Sequence, residues 1–269
     1  MTREIPLCEV PKVFEKAVIL EGSVLEEYDA SLEPLNERAR KWLKQYTVVD
    51  GELVGSSPLM QIHLLNSGVL PKEDRLATRL DLEKAIVFDD EKKVLGTTYT
   101  DFGLALKTAG DNYDIDGAKV NNAIAKRLAN QLERREIALD EGVLIPFSAL
   151  TDISNEEEYW GLTLDLNDFA TRDTIRHLKE FEWTFSRKEG LSCASLDGGR
   201  YWDFVDEHLG RSDGDGRVVV IRAEGTPEKI LGERTPDDYA QKVQSSKKEY
   251  TEKLIKLKDQ IDAEIRRSQ

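Results

Sequence analysis

Trp160-Gly161-Leu162-Thr163-Leu164-Asp165-Leu166, Phe181-Glu182-Trp183-Thr184-Phe185 and Val218-Val219-Val220-Ile221 are the runs on which the fold reading turns. Leucine at every second position makes the first a strand with one buried face. Aromatic and polar residues alternate in the second, which predicts another strand. Between them, Asn167 or Asp168 is placed to cap a helix whose apolar side is Ile175 and Leu178. After the second strand, Arg187-Lys188-Glu189-Gly190 predicts a hairpin turn, with Gly190 free to take positive φ. Leu191 to Leu196 is the return strand. Tyr201, Phe204, Val205, His208 and Leu209 then fall at helical spacing. Gly210 stops that helix, and a glycine-rich acidic loop leads into the last apolar run.

The order is β-α-β-β-α-β, the ferredoxin-like split βαβ unit, with both helices on one face of a four-stranded sheet. Leu162, Leu164, Leu166, Phe181, Trp183 and Phe185 form its covered face. Units of this kind bind RNA by stacking bases on aromatics of the first and third strands. Here the open face offers Thr163 and Asp165, and the third strand is Leu-Ser-Cys-Ala-Ser-Leu, so it has no stacking platform.

Outward from this unit, the fold class expected is α+β. An N-terminal mixed domain covers 1–155, the ferredoxin-like domain 156–225 and a helical extension 226–269. The acidic run Asn155-Glu156-Glu157-Glu158 marks the first boundary. Residues up to about Ser31 read as irregular apart from a short strand at Ala17–Leu20. Leu35, Ala39, Trp42 and Leu43 make a helical stripe. Tyr46 to Val54 is a hairpin around Asp50-Gly51, a pair suited to a type I′ turn. Ser57 caps a helix with Pro58 at its first position and Gly68 at its stop. Arg75 to Lys84 reads as helix, and Ala85–Phe88 with Val94–Leu106 as a second hairpin. From Asp116 or Gly117 to about Leu139, Val120, Ile124, Leu128 and Leu132 line one side of a helix. Val143–Phe147 is a strand or buried loop, which Pro146 places at a sheet edge if it is a strand.

The chain has 269 residues, of which 39% are hydrophobic and 33% charged, with a net charge of −14. Such a chain is expected to be soluble and globular. The acidic balance counts against an extended nucleic-acid surface and against an anionic membrane, both of which need Lys and Arg. Cys8 and Cys193 are the two cysteines and form no CxxC pair, which suits a reducing compartment. No apolar run reaches membrane-spanning length. A cytoplasmic protein without membrane contact is the expectation.

The strongest interaction signal is at the C-terminus. Thr235-Pro236-Asp237-Asp238 is a helix start, and the helix it opens runs nearly to Gln269, roughly 50 Å at 1.5 Å per residue. Tyr250, Leu254, Leu257 and Ile261 form a seam in an otherwise charged sequence. Such a seam pairs with another protein, with a second copy, or with the chain's own body. The leading expectation is a non-enzymatic interaction or assembly protein using that seam.

Two other readings stay open. Lys119, Lys126 and Arg134 lie opposite the apolar side of their helix, and Arg211 and Arg217 flank the Gly210–Gly216 loop; together they make a candidate RNA or DNA patch. Asp165, Asp213 and Asp215 are candidate metal ligands of a phosphodiester enzyme, which needs carboxylates that converge on metal. Asn112 to Gly117 begins like a calcium loop, but Ala123 stands where the bidentate Glu belongs. His63, His177 and His208 have no metal-ligand spacing, and no cofactor is implied.

Overall fold

The computed structural model describes residues 4–6, 15–71, 74–88, 95, 98–110, 118–153, 163–171, 173–178, 190–197, 201–205, 209–210 and 214–223. The described chain is mixed α+β, with several small sheets and five α-helices. Strands and helices are numbered in chain order. A four-stranded sheet runs β1 (Glu4–Pro6), β2 (Glu15–Ile19), β13 (Val219–Ala223), β5 (Asp74–Leu76), every pair antiparallel. A five-stranded antiparallel sheet runs β10 (Arg176–His177), β7 (Val143–Pro146), β6 (Tyr99–Lys107), β11 (Leu191–Asp197), β12 (Tyr201–Val205). Two hairpins stand apart: β3 (Thr47–Val49) with β4 (Glu52–Val54), and β8 (Leu150–Asp152) with β9 (Leu164–Leu166).

Several local expectations match this architecture. Asp50 (φ 53°) and Gly51 (φ 87°) turn the β3–β4 hairpin, the double positive φ of a type I′ turn. Helix α3 (Pro58–Ser67) has Ser57 as its cap, accepting from the Met60 amide at 3.2 Å, and ends at Gly68 with φ 71°. Helix α5 (Ala118–Arg134) buries Ile124, Leu128 and Leu132 completely. Helix α2 (Glu37–Leu43) buries Ala39 and Leu43, with the Asn36 side chain accepting from the Ala39 amide at 2.9 Å. Gly190 has φ 107°. Pro146 pairs with β6 alone, since β10 reaches only Val143 and Leu144.

The ferredoxin-like unit expected at 156–225 is not one sheet. Its described strands are divided among three: β9 pairs with β8, β11 with β6 and β12, and β13 with β2 and β5. Phe181–Phe185, the expected second strand, lies outside the described residues, as does everything after Ala223. The helix expected from Asn167 to Leu178 is replaced by turns and β10. There the Asn167 side chain donates to the Ser148 carbonyl at 2.8 Å rather than capping a helix. The Arg135 guanidinium donates to the carbonyls of Asn167 and Ala170, giving that backbone partners no helix is needed to supply.

Tyr201–Val205, expected as helix, is β12. Its aromatic and β-branched residues fit a pleated surface as well as they fit a helical period, and β11 supplies the ladder. Ala85–Phe88, expected as strand, ends helix α4 (Arg79–Phe88), which starts at a Thr78–Asp81 capping pair: the Thr78 amide donates to the Asp81 carboxylate at 2.9 Å. Arg75, expected in a helix, lies in β5. Helix α1 (Leu25–Leu32) forms where irregular chain was expected, burying Tyr28 and Leu32 one turn apart. The division expected near residue 155 does not separate the sheets, because both larger sheets contain strands from either side of it.

Strands β7 and β13 are covered on both faces, so Val143–Ile145 and Val218–Ile221 read as continuous apolar runs. Val218 and Val220 enter one core cluster with Val18, Ile124, Leu128 and Ile145. Val219 and Ile221 enter a second with Ala17, Phe102, Leu144 and Leu196. Period-two alternation assigns neighbours in one strand to opposite clusters. Helix α5 packs on β9, α3 on β8 and β6, and α4 on β1 and β2.

Gly210 sits where a Cβ would come within 2.6 Å of the Trp42 ring, while a Cβ on Gly214 would meet nothing within 4 Å. Gly210→Ala should therefore destabilise the protein by about 1–3 kcal/mol, as overpacking does. Gly214→Ala should leave the thermal midpoint nearly unchanged. Equal midpoints for the two variants would rule out the close approach.

Candidate functional site

Helix α3 is buried nearly all round: Leu59, Met60, Gln61, Ile62, His63 and Leu64 are each at most 5% exposed. Its two polar members must find partners inside the protein. Gln61 Nε2 donates to Ser56 Oγ at 3.1 Å and to the Asp101 carbonyl at 2.8 Å. Ser56 Oγ and the Tyr99 hydroxyl in turn donate to the Asp101 carboxylate, at 3.1 and 2.8 Å.

His63 faces two other elements. Its Nδ1 lies 2.5 Å from Asp152 Oδ2 at the end of β8, and its Nε2 lies 3.0 Å from Ser31 Oγ in the last turn of α1. A carboxylate beside Nδ1 places the ring proton there, so that in the neutral imidazole Nε2 is an acceptor aimed at the serine hydroxyl. That hydroxyl has a second acceptor, the Tyr28 carbonyl at 2.6 Å. Asn66 Nδ2 ties the α3 backbone to β8 by donating to the Ile62 carbonyl at 2.7 Å and the Leu150 carbonyl at 3.3 Å. This holds histidine and aspartate in register.

Tyr28 walls the histidine and is itself backed by Tyr46. The Tyr28 ring meets His63 edge-on at 5.7 Å and Tyr46 at 5.3 Å. The Tyr28 hydroxyl donates to the Leu43 carbonyl at 3.0 Å, and the Tyr46 hydroxyl donates to Asp29, which also pairs with Lys44 at 3.1 Å. Burial pushes the Tyr28 phenol well above its ordinary pKa, with Tyr46, Asp152 and Asp29 adding to the effect. Burial, then the Asp29 carboxylate, raises Tyr46 likewise. Both phenols stay protonated donors near neutrality. Serine hydroxyl, imidazole and carboxylate are thus in line, able to pass a proton between Ser31 and His63.

The residues singled out from sequence are placed as follows. Asp165 lies in β9 and accepts from Arg127 Nε at 2.5 Å, from Arg127 Nη2 at 3.0 Å and from Gln131 Nε2. Gln131 Oε1 also accepts from the Leu166 amide at 2.8 Å, so Asp165 is a docking point for α5. Asp215 is exposed in the turn before β13, where its carbonyl accepts from the Tyr99 amide at 3.2 Å. Asp213 lies outside the described residues. Among the described residues, no group of three or more His, Cys, Asp and Glu is arranged to hold a metal ion.

Lys119, Lys126 and Arg134 are all in α5, and the side chains of Lys126 and Arg134 are exposed. Arg217 is turned inward: its Nη1 donates to the Gly216 carbonyl at 2.8 Å and its Nε lies 3.6 Å from Glu52. Arg211, the Asn112–Gly117 loop and the seam residues Tyr250, Leu254, Leu257 and Ile261 lie outside the described residues.

The Ser31–His63–Asp152 set has no motif in the sequence, since its members lie 32 and 89 residues apart. The single sequence signal is a histidine within the mostly apolar run Leu59–Leu65. Neither a family model, nor a curated protein, nor a solved structure matches the chain.

Removing the cation from a partly buried pair leaves its carboxylate without a charged partner. Arg127→Ala should cost about 1–3 kcal/mol in denaturant unfolding. The double variant with Asp165→Ala should cost less than the sum of the single ones. Strictly additive costs would show that the two side chains do not interact.

Proposed function

We propose that the chain is an interaction or assembly protein that docks another protein, or a second copy of itself, through its C-terminal segment. The observation that carries this reading is the apolar spacing of Tyr250, Leu254, Leu257 and Ile261 within an otherwise charged sequence. In this reading 236–268 is one long helix, and the contact needs no catalytic step. Support also comes from the acids proposed for metal chemistry, since Asp165 is already taken up by Arg127 and Gln131. A cytoplasmic setting fits a chain whose Cys193 is a buried free thiol. Among the described residues, no helix is long and apolar enough to cross a membrane.

The molar mass in solution tests the reading. Light scattering on the full chain should give a self-associated species, or a complex when the partner is present, and a chain ending at Gly232 should lose it. A monomer in both cases with unchanged thermal stability, and no partner retained by the full chain, would sink the proposal.

A second reading rests on the exposed Lys126 and Arg134, about two turns apart on α5. They offer a short basic stripe to the phosphates of RNA or DNA, in a chain of net charge −14. Binding to a single-stranded oligonucleotide should then weaken steeply with salt, and Lys126→Glu with Arg134→Glu should remove it. No binding at low salt eliminates this reading.

A further inference from the structure

We propose that Ser31 is a nucleophilic serine, activated by His63 and Asp152, and that it accepts the acyl group of an activated, uncharged carboxylic ester. This inference is independent of the assembly reading and uses different residues.

Three elements far apart in sequence deliver one side chain each: α1 gives Ser31, α3 gives His63 and β8 gives Asp152. The side chains of His63 and Asp152 are 6% and 15% exposed, so the pair works in a largely dry setting where a charge interaction is strong. Ser31 is the partly exposed end of the line, and we take it as the end that a small reagent meets first. Of the groups around His63, Tyr28 is held protonated by burial and its hydroxyl is spent on the Leu43 carbonyl. The Asp29 carboxylate is spent on Tyr46 and Lys44. Asp152 is left as the carboxylate on Nδ1.

In the step proposed, the hydroxyl hydrogen turns from the Tyr28 carbonyl to His63 Nε2. Ser31 Oγ attacks the ester carbonyl carbon and forms a new C–O bond while Nε2 takes the proton. The bond to the leaving alkoxide breaks, and that alkoxide takes the proton back from Nε2. The products are acyl-Ser31 and a free alcohol, with no oxidation or reduction.

The surroundings limit the substrate. Asp29, Asp152 and the carbonyls at the negative end of α1 repel an anionic acyl group. The same carbonyls oppose a developing oxyanion, which fast turnover requires preorganised donors to hold. The chemistry expected is therefore acylation by an activated ester followed by slow release.

The probe is p-nitrophenyl acetate, with the acetyl group located by peptide mass spectrometry on the full native chain. A burst of about one equivalent of nitrophenolate and one acetyl on Ser31 are expected. Ser31→Ala should abolish both. Asp152→Asn should slow acetylation at least about tenfold, because it removes the carboxylate that fixes the imidazole tautomer. If Asp152→Asn fails to fold, selectivity decides: the native chain should be acetylated at Ser31 faster than at any other serine, and the urea-unfolded chain should show no such preference. No acetyl at Ser31, the same rate in a folded Asp152→Asn chain, or equal labelling of native and unfolded chains would each overturn the proposal.

Discussion

The antiparallel ladder that seats β13 between β2 and β5 is the constraint on which the rest depends. Val219 pairs with Ile19 and Val220 with Val18, each across about 200 residues of chain, and Val220 also pairs with Leu76 across about 144. The segment before the strand is stitched on both sides: the Gly55 amide donates to the Gly216 carbonyl and the Arg217 amide to the Tyr99 carbonyl, each at 2.8 Å. Closing so long a loop carries an entropic cost that grows only slowly with length. The cost is offset by burying Val218 to Ile221 on both faces. With β13 in place, one core extends from the N-terminal strands to α5 and the β8–β9 hairpin.

Helix α3 carries the polar interior. A helix surrounded by core on all sides, as α3 is, cannot leave a side-chain donor or acceptor unpaired without a cost of about 1–3 kcal/mol per group. His63 meets that demand at both ring nitrogens, and Gln61 meets it at Nε2 only, its Oε1 being buried without a hydrogen-bond partner among the described residues. Gln61 reaches Ser56 and Asp101 at the start of β6, and His63 reaches Ser31 and Asp152. The histidine thereby crosslinks α1, α3 and β8 in one line of hydrogen bonds. A geometry that serves stability also lines up a hydroxyl, an imidazole and a carboxylate. The serine hydroxyl donates to the Tyr28 carbonyl, which competes with the imidazole for its hydrogen.

Asp165 illustrates how a carboxylate that looks free in sequence is claimed by tertiary structure. On the alternating strand it points away from the leucines, which suited an open-face ligand. In the fold that face is covered by α5, and Arg127 and Gln131 close on it. Arg217 is claimed in the same way by Glu52 and the Gly216 carbonyl, which leaves Lys126 and Arg134 as the exposed basic residues of the described candidate patch. The C-terminal seam stands on sequence spacing alone.

Determinants that lie within one turn or one helix were legible in the residues themselves. Asp50-Gly51 specifies its turn because two positive φ values are cheap there. Ser57-Pro58 and Gly68 bound α3 because cap, first position and stop act over three or four residues. The Ile124, Leu128 and Leu132 stripe marks the buried side of α5 because helical period needs no outside partner. Strand pairing beyond the β3–β4 hairpin was not legible. β9, β11 and β13 each satisfy their backbone groups with a strand from elsewhere, and alternation along a strand says which face is buried but not against what. Tyr201–Val205 fits helix and strand periods alike, and the free ladder on β11 decided for strand. The Ser31, His63 and Asp152 alignment belongs wholly to the tertiary structure, since a buried imidazole takes whichever partners the packing brings to its two nitrogens.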